Sequence, residues 1–107
     1  MTERNYENVA EEVIRKDDAY RMVNGVGLSP ERLKGICGVY NPMHVVILRA
    51  EEHRRHERLR QLDRARWAAS RSGAPKEVLK RLEQALIRIS QEIVLLARAA
   101  EYVQGVR

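Results

Sequence analysis

The sequence predicts an all-α protein, with short N-terminal helices followed by a long antiparallel helical hairpin of coiled-coil character. Three observations carry that expectation. Apolar residues recur at steps of three and four, and no stretch sustains the alternating, β-branched pattern of a strand. Pro30, Pro42 and Pro75 each fall where a helix can start, since the missing N–H of proline has no intrahelical acceptor in the first turn. The last third of the chain carries a heptad seam.

Taken in order, the first segment runs from Asn5 to about Lys16 and places Tyr6, Val9, Ala10, Val13 and Ile14 on one side. A second, weaker helix is expected over Asp18 to Val23, closed by Asn24-Gly25-Val26-Gly27. A third spans Pro30 to about Val39, with Ser29 ahead of it as a cap whose side-chain oxygen can accept an orphan amide. Asn41 plays the same part ahead of Pro42.

The two long helices are expected over Pro42 to about Ser70 and Pro75 to about Val103. The four residues Arg71-Ser72-Gly73-Ala74 join them, with Gly73 suited to the left-handed position that closes a helix. So short a connection makes the helices antiparallel neighbours, each about 40–45 Å long. In the last helix Leu79, Leu82, Leu86, Ile89, Ile93, Leu96, Ala100 and Val103 follow steps that alternate three and four, the a/d seam of a coiled coil.

The facing helix matches that seam imperfectly. Counting outward from the turn sets Leu62 against Leu86 and Leu59 against Ile89, but Arg55 against Ile93 and Glu52 against Leu96. The run Glu51-Glu52-His53-Arg54-Arg55-His56-Glu57-Arg58 holds no apolar side chain. Ile87, Val94 and Leu95 moreover lie off the seam. Either the N-terminal helices or a second chain must hide this surface, and a few exposed Leu and Ile side chains represent several kcal/mol. The expectation is a homo-oligomer, most simply a dimer, with Leu79, Leu82, Leu86, Ile89, Ile93 and Leu96 at the interface. The organisation is thus an N-terminal helical region over residues 1–41 and a hairpin over 42–107 for oligomerisation or partner binding.

Charge adds a functional hint. The chain has 107 residues, a formal net charge of +5 and one cysteine. Residues 1–42 carry six basic and seven acidic side chains, whereas residues 43–73 carry eight and four, every basic one an Arg. Arginine's planar fork suits phosphate. Arg54, Arg55, Arg58, Arg64 and Arg66 are therefore the expected contacts to a DNA or RNA backbone. Part of this charge is expected to be used internally, in pairs such as Glu51–Arg55, Glu51–Arg54, Glu52–His56, Glu57–Arg60 and Asp63–Arg66. Trp67, the only Trp, could stack on a base, but beside a hairpin turn it is expected to cap a core.

Residues 19–38 fit a degenerate helix-turn-helix. Met22, Val26 and Leu28 would pack around the turn, Gly27 would make it, and Leu33 and Ile36 would form the buried side of the second helix. Its exposed positions would be Ser29, Glu31, Arg32, Lys34 and Gly35. On these residues the chain resembles helix-turn-helix proteins that append a coiled-coil hairpin for oligomerisation, such as phage small terminase subunits and some small repressors. It departs from them in placing Asn24-Gly25 inside the first helix and in the net negative charge of the region. The plainer expectation is three small helices that cover the hairpin.

Catalytic constellations are missing. Gly25-Val26-Gly27 follows no strand and lacks the lysine of a phosphate-binding loop. His53 and His56 with Glu52 and Glu57 fall short of a metal site, Cys37 reads as a buried spectator, and no cofactor is expected. No apolar run is long enough for a membrane span and Met1-Thr2-Glu3-Arg4-Asn5 lacks the apolar region of a signal peptide, so a cytoplasmic location is expected. The expected function is non-enzymatic: an oligomeric helical protein associated with nucleic acid, as a DNA-binding regulator or a phage-type packaging or assembly factor. The alternative is a protein–protein interaction module, an adaptor, scaffold or inhibitor working through its apolar last helix.

Overall fold

A computed structural model describes residues 9–25 and 27–105. Tyr6 and Val26, both assigned packing roles above, lie outside the described residues. Among the described residues there are four helices: α1 (Val9–Asn24), α2 (Pro30–Cys37), α3 (His44–Arg71) and α4 (Lys76–Gly105). The architecture is all-α, with α3 and α4 forming the expected long hairpin.

The first two expected helices are one. The expected break between about Lys16 and Asp18 is absent, and α1 runs through Asp17 and Asp18 without interruption. Both acids have partners inside the fold: Asp17 pairs with Arg21 at 3.2 Å and with Arg32, and Asp18 accepts from Arg21 at 2.7 Å. An i,i+3 or i,i+4 Arg partner favours continuing the helix over capping it. Gly25, at φ +85°, then ends α1, its N–H donating to the Arg21 carbonyl at 2.9 Å.

Ser29 caps α2 as expected, extended at φ −97° and ψ 160°, its side chain accepting from the Arg32 amide at 3.2 Å. Ahead of α3, Asn41 accepts from the Met43 amide at 2.9 Å, which makes Pro42 part of the entry turn. Between the long helices Gly73 takes φ +74°, and the Ala74 amide reaches back to the Ala69 carbonyl at 3.0 Å. That is the left-handed closure expected of a glycine there.

Cross-helix ion pairs confirm the register that the turn imposes. Arg55 reaches Glu92 at 3.2 Å and Arg66 reaches Glu83 at 3.8 Å. Burial along the α4 seam then divides the molecule in two. Ile93 is 8% exposed and Leu96, Ala100 and Val103 are fully enclosed, whereas Leu79, Leu82, Leu86 and Ile89 are half-buried.

The difference is made by α1 and α2, which fold back over one half of the hairpin. Val9, Ala10, Val13 and Ile14 from α1, with Ile36 and Cys37 from α2, join Leu48, Leu95, Leu96, Ala99, Ala100 and Val103 in one core. Leu95, which the heptad leaves off the seam, is covered on this side. The surface that a second chain was expected to hide is hidden here by the chain's own N-terminal helices. Ile93 and Leu96 are thereby removed from any interface. What is left is a proximal body and a distal two-helix arm, within overall dimensions of 52 × 30 × 22 Å.

Candidate nucleic-acid interface

The body docks on the hairpin through charge as well as burial, and this decides which arginines are available. Arg55 points between the helices, its side chain 13% exposed, and contacts Glu11 of α1 at 2.8 Å, Glu51 at 2.8 Å and Glu92 at 3.2 Å. Burial pulls its pKa down, and hydrogen bonds to Glu11 and Glu51 more than offset that, leaving a firmly held cation. Arg88 closes a second link by donating both terminal nitrogens to Asp18, at 2.8 and 2.6 Å. Its guanidinium lowers the Asp18 carboxyl below its usual range.

The five arginines expected at a phosphate backbone therefore part company. Arg55 is a strut holding α1 to the hairpin and is corrected from surface ligand to structural cation, because three carboxylates surround it. Arg66 lies between the helices, 3.9 Å from Asp63 and 3.8 Å from Glu83. Arg54 is exposed but paired with Glu51. Arg58 and Arg64 are exposed and have no ion pair among the described residues. The expected Glu57–Arg60 pair does not form; Glu57 instead takes His53 at 3.4 Å.

Two arginines that the sequence reading passed over complete a better set. Arg60, Arg64, Trp67 and Arg71 follow steps of four, three and four, so on a helix of 3.6 residues per turn they share one side. All four are exposed, with Trp67 and Arg71 bordering the groove between α3 and α4. Trp67 is 61% exposed, which corrects the expectation that it caps a core. At this end of the hairpin Ala69 and Leu79 are only half-buried, and neither α1 nor α2 covers the ring. On its flank lies a notch of about 280 Å3 lined by Arg66, Trp67, Ser70, Arg71, Leu79 and Glu83.

The spacing signal for this stripe was present in the sequence. Counting arginines along α3 without their helix face does not reveal it, because residues adjacent in sequence point to different sides of a helix. The charge of the arm is correspondingly one-sided. Residues 58–81 hold eight basic and two acidic side chains, a net of +6, against +5 for the whole chain. All the excess positive charge thus lies on the distal arm, and the rest of the chain nets −1.

The helix-turn-helix reading fares less well. Met22, expected in its core, is 87% exposed, while Arg32, expected to face outward, is 2% exposed. Arg32 donates to Asp17 and to the Gly27 carbonyl and lies 5.7 Å from the Tyr20 ring centroid. An arginine needed to neutralise a buried aspartate cannot also read a base edge. Other parts of the pattern agree: Leu28 packs on the core, Gly27 takes φ +129° at the turn, Ile36 is enclosed, Leu33 is half-buried, and Glu31, Lys34 and Gly35 are exposed.

Burial pushes the Cys37 thiol up to about 11, so little thiolate exists near neutral pH. His53 and His56 pair with Glu57 and Glu52, and no group of three metal-ligating side chains occurs among the described residues. No helix among them is long and apolar enough to cross a membrane. The chain matches no known family model, and no curated protein or solved structure matches it.

Proposed function

We propose that this protein is a non-enzymatic nucleic-acid-binding protein that engages the phosphate backbone with its distal arm. The observation that carries the reading is the stripe of Arg60, Arg64 and Arg71 on one exposed side of α3, without an ion pair among the described residues and within a segment of net charge +6. A straight helix with cations on one side can follow a polyanion, and each neutralised phosphate releases condensed counterions. The proximal body anchors the arm through Arg55 and Arg88 and leaves those three arginines outside its own ion pairs.

Binding should therefore fall steeply with salt. Replacing Arg60, Arg64 and Arg71 together by Ala should flatten the slope of log K against log salt by about two to three units. An unchanged slope, or no binding to either DNA or RNA, would count against the reading.

A second reading, self-association through α4, has its own support. Ile87 is 59% exposed, beside the half-buried Leu79, Leu82, Leu86 and Ile89. A second copy laid along the distal arm would cover this stretch without disturbing the arginine stripe on the opposite helix.

A further inference from the structure

We infer that the nucleic acid engaged by the arm is single-stranded, with an unpaired base stacked on Trp67. The inference rests on the reading of the distal arm as a phosphate-binding surface and adds what kind of strand it takes. A tryptophan of this size is normally covered, and here the ring is 61% exposed between Arg64 and Arg71. An indole lying against phosphates alone would have an apolar surface set on anions. It gains a partner only where a base face is open, because in a duplex both faces of each base are already stacked. The notch of about 280 Å3 beside the ring offers such a base an edge: Leu79 gives it an apolar wall, while Ser70 and Arg71 bring polar groups to its rim.

The spacing agrees. From Arg60 to Arg71 the helix rises about 16 Å, roughly five nucleotides at about 3.4 Å each in a stacked strand. Arginines on both sides of the ring would then hold the backbone while one base turns inward, the combination of cationic track and aromatic platform by which unpaired strands are bound without sequence preference. Ribose and deoxyribose strands share this chemistry.

Trp67 is also the only tryptophan, so its emission reports on this position alone. The full chain is titrated with a ten-nucleotide oligothymidylate, with oligouridylate of the same length and with a blunt duplex of equal length. The result expected is quenching of Trp67 by both single strands and little by the duplex. Trp67→Ala, followed by anisotropy of a labelled strand, should weaken single-strand binding about tenfold while leaving its salt slope in place. Trp67→Phe should recover part of the loss. Equal binding of duplex and single strand with no quenching would overturn this inference and leave the phosphate-backbone reading standing. Loss of binding only in the Arg60, Arg64 and Arg71 variant, with Trp67→Ala indifferent, would do the same. Absence of binding to any of the three would remove both.

Discussion

Arg32 and Asp17 show how one side chain can reverse a functional reading. In the sequence Arg32 stands at an outward position of a short helix after a glycine turn, where it would serve DNA recognition. In the fold Arg32 is 2% exposed and Asp17 4%, and they neutralise each other under the loop that carries Gly27. Such a pair adds little net stability, but removing one partner strands a buried charge. Asp17→Ala should therefore cost about 3–5 kcal/mol in urea denaturation. The double change Asp17→Leu with Arg32→Met should recover most of that loss, and a mild effect of Asp17→Ala would contradict the buried pairing. Asp18 makes a weaker, pH-dependent contribution. Its carboxyl is depressed by Arg88, so its stabilisation is present above the usual aspartate range and disappears as the pH falls through the lowered value. At 39% side-chain exposure the effect is small. Asp18→Asn should lower the melting temperature slightly at neutral pH and leave it unchanged in strong acid. A difference that persists in acid would assign the effect to something other than the ion pair.

At the scale of elements, the hairpin was legible because its signals are local. The heptad steps of α4, the glycine at position 73 and the short connection each restrict the chain within a few residues, and together they fix the register seen in Arg55–Glu92 and Arg66–Glu83. The continuity of α1 was less legible, since Asp17 and Asp18 resemble a helix end until Arg32 and Arg88, distant in sequence, supply their partners. The covering of Ile93, Leu95 and Leu96 by α1 and α2 is likewise a long-range fact that no periodicity announces. Its consequence is that any contact between copies moves outward along α4. Sedimentation at micromolar concentration should show an oligomer, and Ile87→Asp should return it to a single chain while helicity is retained. A monomeric native chain would exclude that contact.

For the whole molecule, the division into a near-neutral body and a cationic arm is the organising feature. The body supplies the enclosed core and, through Glu11 and Asp18, two ionic ties to the hairpin. The arm keeps its apolar seam half-covered and its arginines outward. The excess of Arg was readable from composition, but the choice among the arginines was not, because it depends on which side of α3 faces α4 and where α1 ends. Arg55 was lost to the body, while Arg60 and Arg71 were gained with Trp67. The most direct test is a map of backbone amide shifts by NMR as a short single-stranded oligonucleotide is added. Perturbations should cluster on residues 58–81 and be strongest around Arg60, Arg64, Trp67 and Arg71, with the enclosed signals of Val13, Ile36 and Leu96 unmoved. Shifts centred on α1 and α2, or none at all, would contradict the assignment of the arm as the binding element.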